Sequence, residues 1–174
     1  LFRSSSFVPG STHTYAIDAR DTLGNSVKDT GSFVTPSIKI GLSFGTELPD
    51  STDPAGSALA ADDVAGVAAV AQANWNNLSQ PAGNLLVKTD SGANSSVTVT
   101  WDSPNTWAST GLGEENNNFT GANKTLMTGY LDTSDASTTK VTIAGIPSAL
   151  TEGNGYDLYV YALGGVTGRS GGRS

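Results

Sequence analysis

The clearest hydrophobic pattern in the chain lies in SVTVTWDSPNTW, residues 96–107. Val97, Val99 and Trp101 alternate with polar residues, which predicts a strand with one buried face. The Asp-Ser-Pro-Asn sequence that follows predicts a turn, because proline cannot donate to a strand ladder and Asx and Ser side chains favour turns. Trp101 is therefore expected in the core, and Trp107 in or just past a turn, where a ligand could reach it.

Further strands are predicted from the same kind of alternation elsewhere in the chain. Residues 11–36 predict two strands about a turn at 21–25, since Asp, Gly and Asn favour tight turns. About eight or nine short strands separated by turns indicate an all-β fold, an antiparallel β-sandwich or jelly roll. The later strands are predicted at 38–45, 83–89, 138–144 and 155–163, of which the last, GYDLYVYAL, has the strongest pattern.

Two regions depart from this pattern. Residues 58–73 are rich in alanine, the best helix former, and carry acidic residues early. Gly66 and the valines of this region weaken a long helix, so a short helical turn near 60–64 is expected, followed by an extended segment that ends at Trp75. Residues 107–124 form a long polar stretch without periodicity, which is typical of functional or mobile loops.

Composition and charge narrow the partners and the setting. The 174 residues contain nine basic and sixteen acidic side chains, so nucleic acid and anionic membrane surfaces are not expected partners. No segment has the roughly 20 apolar residues that a membrane helix needs. Ser, Thr, Asn and Gly abound while Lys and Glu are few, a composition typical of secreted bacterial modules. The absence of cysteine excludes neither compartment. An extracellular location is expected, in a chain cut from a longer protein.

The N-terminal strands carry a first resemblance to a known family. HTYAIDARDTLGN, followed by SFVTP, resembles the last two strands of the immunoglobulin-like or fibronectin-like repeats of secreted bacterial proteins. The resemblance implies that residues 1–37 are part of such a repeat with a linker. A complete sandwich of this kind needs about seven strands, so these two strands are expected to pair within the same chain or with a neighbouring one.

The rest of the chain carries a second resemblance. Its motifs are IGLSFG, ADDVAGVAAVAQANWNNLS, VTVTWDSPNTW, LMTGYLDT, VTIAGIP and GYDLYVYALGG. Together they resemble an accessory module of large secreted multidomain bacterial proteins, found beside glycan-degrading domains. The resemblance implies a carbohydrate-binding or lectin-like β-sandwich over residues 38–165 and neighbouring domains of the longer chain as partners. Residues 166–174 are expected to form a flexible tail, because they are too rich in glycine to pack.

Binding of a polysaccharide requires flat aromatic faces for sugar C–H surfaces and nearby polar groups that fix orientation. Trp107 is the leading platform, although a tryptophan at a turn also caps sandwich cores. Trp75 is open to the same two interpretations, with the core favoured, while Tyr159 and Tyr161 form either a sugar-facing stripe or an ordinary half-exposed strand face. The candidate ligand-binding residues are Trp107, Trp75, Asp102, Asn105, Asn117, Tyr159 and Tyr161.

Catalysis is not expected from this sequence. His13, the sole histidine, has no cysteine or serine motif to activate, and Glu114 and Glu115 are adjacent in a polar loop, a poor scaffold for paired carboxylates.

A structural calcium ion is one interpretation of the carboxylates around residues 50–63, because calcium prefers several oxygen ligands. Helix capping and turn formation explain the same residues. The candidate calcium ligands are Asp50, Asp53, Asp62 and Asp63.

Two functions are therefore expected, in this order. The first is a non-catalytic, extracellular carbohydrate-binding module of a modular glycan-processing protein. The alternative is a structural stalk, adhesin or extracellular fibre subunit that assembles with itself by β-strand donation from its N-terminal hairpin. The oligomeric state separates the two, because strand donation requires neighbouring copies.

Overall fold

Most of the regular structure in this chain is β-strand. The computed structural model describes residues 10–35, 37–46, 57–108, 119–134, 136–148 and 155–162. The all-β expectation is confirmed, since α-helix within these ranges is confined to residues 121–126 and Ser148. In chain order the elements are β1 (Thr12–Arg20), β2 (Ser26–Val34), β3 (Leu42–Phe44), β4 (Asn76–Leu78), β5 (Ala82–Lys88), β6 (Asn94–Asp102), β7 (Asn105–Ala108), α1 (Gly121–Leu126), β8 (Gly129–Asp132) and β9 (Lys140–Ala144).

The described strands form four small sheets. β1 pairs with β2, β7 pairs with β8, and β6 lies between β5 and β9, all of them antiparallel. β3 and β4 pair in parallel. The chain divides into two compact units, one from the described residues of 1–38 and 147–156, the other from those of 39–146 and 157–174.

The first unit contains the ribbon formed by β1 and β2. At its turn the Asp21 carboxylate accepts hydrogen bonds from the backbone N–H groups of Leu23 and Asn25, both at 2.9 Å, and from the Asn25 amide at 2.7 Å. Donation by the Asn25 side chain and backbone holds the pKa of Asp21 below its usual range. The two predicted strands and their turn are confirmed, and among the described strands no third one joins this sheet.

The main core of the second unit forms on one face of β6. Val97, Val99 and Trp101 are buried there, as their alternation with polar residues predicts. Leu78 of β4 and Val87 of β5 complete the buried cluster. The expectation that Trp101 belongs to the core is confirmed. The partly buried residues packed against this cluster are Ile40, Leu42, Phe44, Leu131 and Ile146.

Asparagine side chains of β4 connect segments that backbone pairing leaves apart. The Asn76 amide donates to Gly41 O at 3.0 Å and to Lys88 O at 2.9 Å, and its side-chain oxygen accepts from Lys88 N at 2.8 Å. Asn77 exchanges two hydrogen bonds with the backbone of Leu59, at 2.9 and 3.0 Å. These amides substitute for a β-ladder, since among the described strands β4 pairs with β3 alone.

A smaller cluster lies beside α1. Leu59, Ala65 and Leu126 are buried in it. The Asn123 side chain of α1 accepts a hydrogen bond from Gly66 N at 2.8 Å, which fixes the helix to this region. The sequence does not predict α1, because its six residues carry too few apolar positions to show a helical period. The partly buried residues packed against this cluster are Trp75, Ala122 and Tyr161.

The prediction for residues 58–75 is wrong in two respects. The expected helical turn near 60–64 is a reverse turn in which Asp63 N donates to Ala60 O at 3.2 Å, and no helix forms there. The expected extended segment up to Trp75 instead doubles back, because Ala65 and Gln72 form an antiparallel bridge with two 3.0 Å hydrogen bonds. Tertiary hydrogen bonds outweigh the helix propensity of alanine in this region.

The strand predicted at 155–163 is also wrong over its described part. Residues 155–162 are not in a strand, although Tyr and Val have high strand propensity. Strand propensity describes a residue that packs against paired neighbours, and no described strand pairs with this segment. Tyr161 instead packs into the cluster beside α1.

Candidate functional site

The outer face of the β7–β8 sheet carries the aromatic and polar residues best placed to contact a ligand. The strand register pairs Asn105 with Asp132 and Trp107 with Tyr130. Directly opposed residues of an antiparallel pair point to the same face, and the alternate residue Thr106 is buried. These four residues therefore share the outer face, where Trp107 is 50% exposed.

The chain reaches this face by changing sheets after Asp102. β6 ends there, Ser103 and Pro104 turn the chain, and β7 begins at Asn105 in a different sheet. The tryptophan before the turn consequently points into the core and the one after it towards solvent. The prediction that Trp107 lies just past a turn is confirmed.

A close backbone contact fixes the position of β8. A Cβ added to Gly129 would lie 2.5 Å from Gly45 O and 2.6 Å from Ser57 Oγ. Only glycine permits this approach, and the buried Ser57 hydroxyl donates to Gly45 O at 3.0 Å. Leu131, on the inner face of β8, packs against the main core. The outer face is therefore supported from behind by packed residues.

A shallow depression of about 210 Å³ lies where β7 begins and β8 ends. The buried Ser103 connects the segments around the depression. Its hydroxyl donates to Asp132 O at 2.8 Å and shares a 2.7 Å hydrogen bond with Thr139 Oγ1. On one side the hydroxyl oxygens of Ser134 and Ser137 are 2.9 Å apart. The residues that line the depression are Pro104, Asn105, Asp132, Thr133, Ser134 and Ser137.

Three polar groups on this face have no partner within the described part of the chain. They are the Asn105 amide, the Asp132 carboxylate and the indole N–H of Trp107. An amide both donates and accepts hydrogen bonds, an ionised carboxylate only accepts, and an indole N–H only donates. The face therefore offers donors and acceptors together, which matches a ligand rich in hydroxyl groups.

The structure brings two of the predicted ligand-binding residues together and leaves a third apart. Asn105 and Trp107 share the outer face of β7. Asp102 lies on β6, opposite Ala82 and Lys140, and does not line the depression. Asn117 lies outside the described residues.

The remaining aromatic candidates lie in or near the smaller cluster. Trp75 and Tyr161 contact edge to face, with ring centroids 6.1 Å apart. The indole N–H of Trp75 donates to Gln72 O at 2.9 Å, and the Tyr161 hydroxyl accepts from Val67 N at 3.2 Å. Both side chains thus have protein partners, which agrees with the core interpretation of Trp75. Tyr159 remains half exposed, in the segment that is not a strand.

The predicted calcium ligands do not form a metal centre within the described residues. Asp50 and Asp53 lie outside them. Asp63 accepts a hydrogen bond from Ala60 N at 2.7 Å, as the turn-forming alternative expects, and Asp62 is exposed. In the ranges that the structure describes, no group of three or more His, Cys, Asp or Glu side chains could hold a metal ion.

Sequence reasoning missed Tyr130, Asp132 and the hydroxyl-rich turn that follows them. The four residues of GYLD are too few to show an alternating pattern, and no such pattern shows which strand a segment will pair with. Only the register of β8 against β7 places Asp132 beside Asn105. The serines at 134 and 137 carried no sequence signal beyond a turn-forming composition.

Comparison of the chain with protein-family models, curated proteins and solved structures finds no match. Within the described residues no helix is long and apolar enough to span a membrane.

Proposed function

We propose that this chain is a non-catalytic, extracellular carbohydrate-binding module, part of a modular glycan-processing protein. It binds a polysaccharide chain on the outer face of β7 and β8. The observation that carries this proposal is the half-exposed indole of Trp107 on the same face as Asn105 and Asp132, whose side-chain polar groups have no partner among the described residues.

The physical basis is the amphipathic surface of a sugar ring. One ring face is covered with C–H groups and stacks on an indole, which removes apolar surface from water. The ring hydroxyls at its edge then need hydrogen-bond partners, and a small number of placed polar groups fixes the orientation. Trp107 supplies the first of these interactions, and Asn105 and Asp132 the second.

The proposed architecture is a β-sandwich or jelly roll. Its support is the way in which the apolar face of β5 and β6 packs against residues of other sheets, namely Leu42, Phe44, Leu78 and Leu131. Two sheets that pack face to face form a core of this kind. In such an architecture the outer faces of the sheets are exposed and can bind ligands. This is the position that we propose for the binding face of β7 and β8.

The test is the retention of the protein in native gels that contain plant and algal polysaccharides. Trp107→Ala is expected to weaken retention on the bound polymer about tenfold or more, because the stacking surface is lost. Tyr159→Ala is the matched control, since it removes another half-exposed aromatic ring. Loss of retention in the Tyr159 variant but not in the Trp107 variant would contradict the proposed site. Retention that requires calcium would support the predicted ion at residues 50–63.

A second candidate function, self-assembly as a structural subunit, is favoured by the ribbon of β1 and β2. One face of this ribbon is largely apolar, with His13 and Asp29 as its polar members. Its exposed apolar residues are Tyr15, Ile17, Val27 and Phe33. A two-stranded ribbon is marginally stable in water by itself. Further strands from a second copy would extend the sheet and shield this apolar face.

Ile17→Lys tests self-assembly with little harm to the ribbon itself. The new ammonium would lie directly opposite Asp29, a favourable cross-strand pair, but on the apolar face. If the ribbon mediates assembly, light scattering should show oligomers for the parent chain and monomers for this variant. Thr30→Lys, which adds the same charge to the opposite, polar face, should still assemble. A parent chain that is strictly monomeric would contradict this second function.

A further inference from the structure

We propose that the ligand of the β7–β8 face is an uncharged glycan, with hydroxyl groups of one sugar unit bound at Asp132 and Asn105 and a neighbouring unit stacked on Trp107. This inference rests on the proposed function and adds the chemical class of the polysaccharide. Its basis is the set of charged and polar groups that line the depression.

Asp132 selects for hydrogen-bond donors. Its carboxylate lines the depression and has no partner among the described residues. An ionised carboxylate only accepts hydrogen bonds, and neighbouring sugar hydroxyls can donate to its two oxygens in charge-assisted bonds, which are stronger than neutral ones. A uronic acid carboxylate or a sulfate ester also only accepts hydrogen bonds. Neither can therefore donate to Asp132, and its negative charge would be repelled by that of Asp132.

Among the residues that the structure describes, no cationic side chain lines the depression to offset this charge. Recognition of a carboxylate or sulfate is typically made by arginine or lysine. Lys140 is the cation that lies nearest to the turn at Ser103 according to the strand register. It is on β9, opposite Asp102 of β6, and does not line the depression. The net charge of -7 adds a long-range repulsion of acidic polymers.

The volume of the depression limits how many sugar units can bind inside it. At about 210 Å³ it is smaller than the roughly 300 Å³ at which sites for drug-sized ligands begin. It therefore accommodates a single sugar unit and not a folded oligosaccharide. Trp107 lies two residues along β7 from Asn105, on the same face, so the adjoining unit of an extended chain reaches the indole.

The experiment compares polymers that share a backbone and differ in charge. The affinity of the full chain is measured for each neutral polysaccharide and for its carboxymethylated or sulfated derivative, at low and at moderate salt. The derivative is expected to bind at least about tenfold more weakly than its neutral parent at low salt, with part of the loss recovered as salt screens the charges.

Asp132→Asn separates the site from the overall charge of the protein. This variant keeps the size of the side chain but loses the charged acceptor, so neutral polymers should bind about tenfold more weakly and acidic ones should be discriminated against less. Asp29→Asn removes the same formal charge from β2, in the other unit, and should leave both affinities nearly unchanged.

Three results would overturn parts of this account and can be told apart. Acidic derivatives that bind as tightly as their parents, with binding still dependent on Trp107, would overturn the uncharged class and leave the proposed function standing. Unchanged affinities in Asp132→Asn would overturn the assignment of the hydroxyl-binding position. No binding of any polymer, or binding that does not depend on Trp107, would overturn the proposed function and this inference with it.

Discussion

Replacing Trp101 by alanine is expected to lower the free energy of unfolding by about 3–5 kcal/mol. The indole is only 6% exposed and packs edge to face against Phe44, with ring centroids 6.3 Å apart. Its N–H donates to Gln80 O at 3.0 Å. Gly83 lies directly opposite on β5, and a Cβ there would clash with the indole, so the ring fills space that a glycine leaves open. No neighbouring side chain can refill the cavity without moving a strand.

The measurement is equilibrium unfolding in urea, followed by circular dichroism. Trp107→Ala is the matched control, because it removes the same side chain six residues further on, where the ring is half exposed. Surface substitutions change stability by about 0.5 kcal/mol or less. A similar loss of stability in both variants would show that Trp107 is also a core residue and would contradict its role as a platform.

The contrast between these two tryptophans shows how far the sequence can be interpreted. Alternation with a period of two identified β1, β2, β5, β6 and β9, because a half-buried strand requires one apolar face. It also placed Trp101 inside, and proline chemistry placed Trp107 beyond a turn. These are local properties, and a short stretch of sequence contains all the information they need.

The features that were not predicted depend on distant partners. Residues 155–162 have a strand pattern but no described strand to pair with, and the alanine-rich region doubles back through the bridge of Ala65 with Gln72. Asp132 joins the site only through the register of β8, 27 residues after Asn105. Register between strands is decided by tertiary packing, so a single sequence does not reveal it.

The residues of the candidate site stand on strands that buried residues and hydrogen bonds hold in place. Trp107 and Asn105 stand on a strand whose inner residues, Thr106 and Ala108, are buried. Asp132 is the last residue of β8, and Ser103 holds its carbonyl. Binding groups that stand on rigid elements lose little conformational entropy when a ligand binds. A rigid face would suit the proposed binding of a polysaccharide, because little freedom is lost when the polymer binds.

The rigidity of this unit depends strongly on the buried amide of Asn76, and Asn76→Ala is expected to destabilise the unit by about 2–4 kcal/mol. The Asn76 side chain makes three hydrogen bonds, two with the backbone N–H and C=O of Lys88 and one with Gly41 O. Gly41 O keeps a second donor, the backbone N–H of Asn76, at 2.9 Å. Both backbone groups of Lys88 lie at a part-buried position and would lose this partner. Each of the three lost hydrogen bonds contributes about 0.5–1.5 kcal/mol.

The side chain bridges β4 and β5, which the structure does not pair through their described backbone groups. Its loss therefore also frees the end of β5, next to the irregular register between Leu86 and Lys88. Hydrogen exchange should therefore speed up at Lys88 in Asn76→Ala, and urea unfolding should give the total loss. Asn84→Ala is the control, because its exposed amide bonds only to the Thr100 hydroxyl and its removal should cost less than about 1 kcal/mol. Equal losses of stability in the two variants would mean that water can replace Asn76 as the hydrogen-bond partner of the Lys88 backbone. In that case only the apolar packing of Leu78 and Val87 would hold β4 and β5 together.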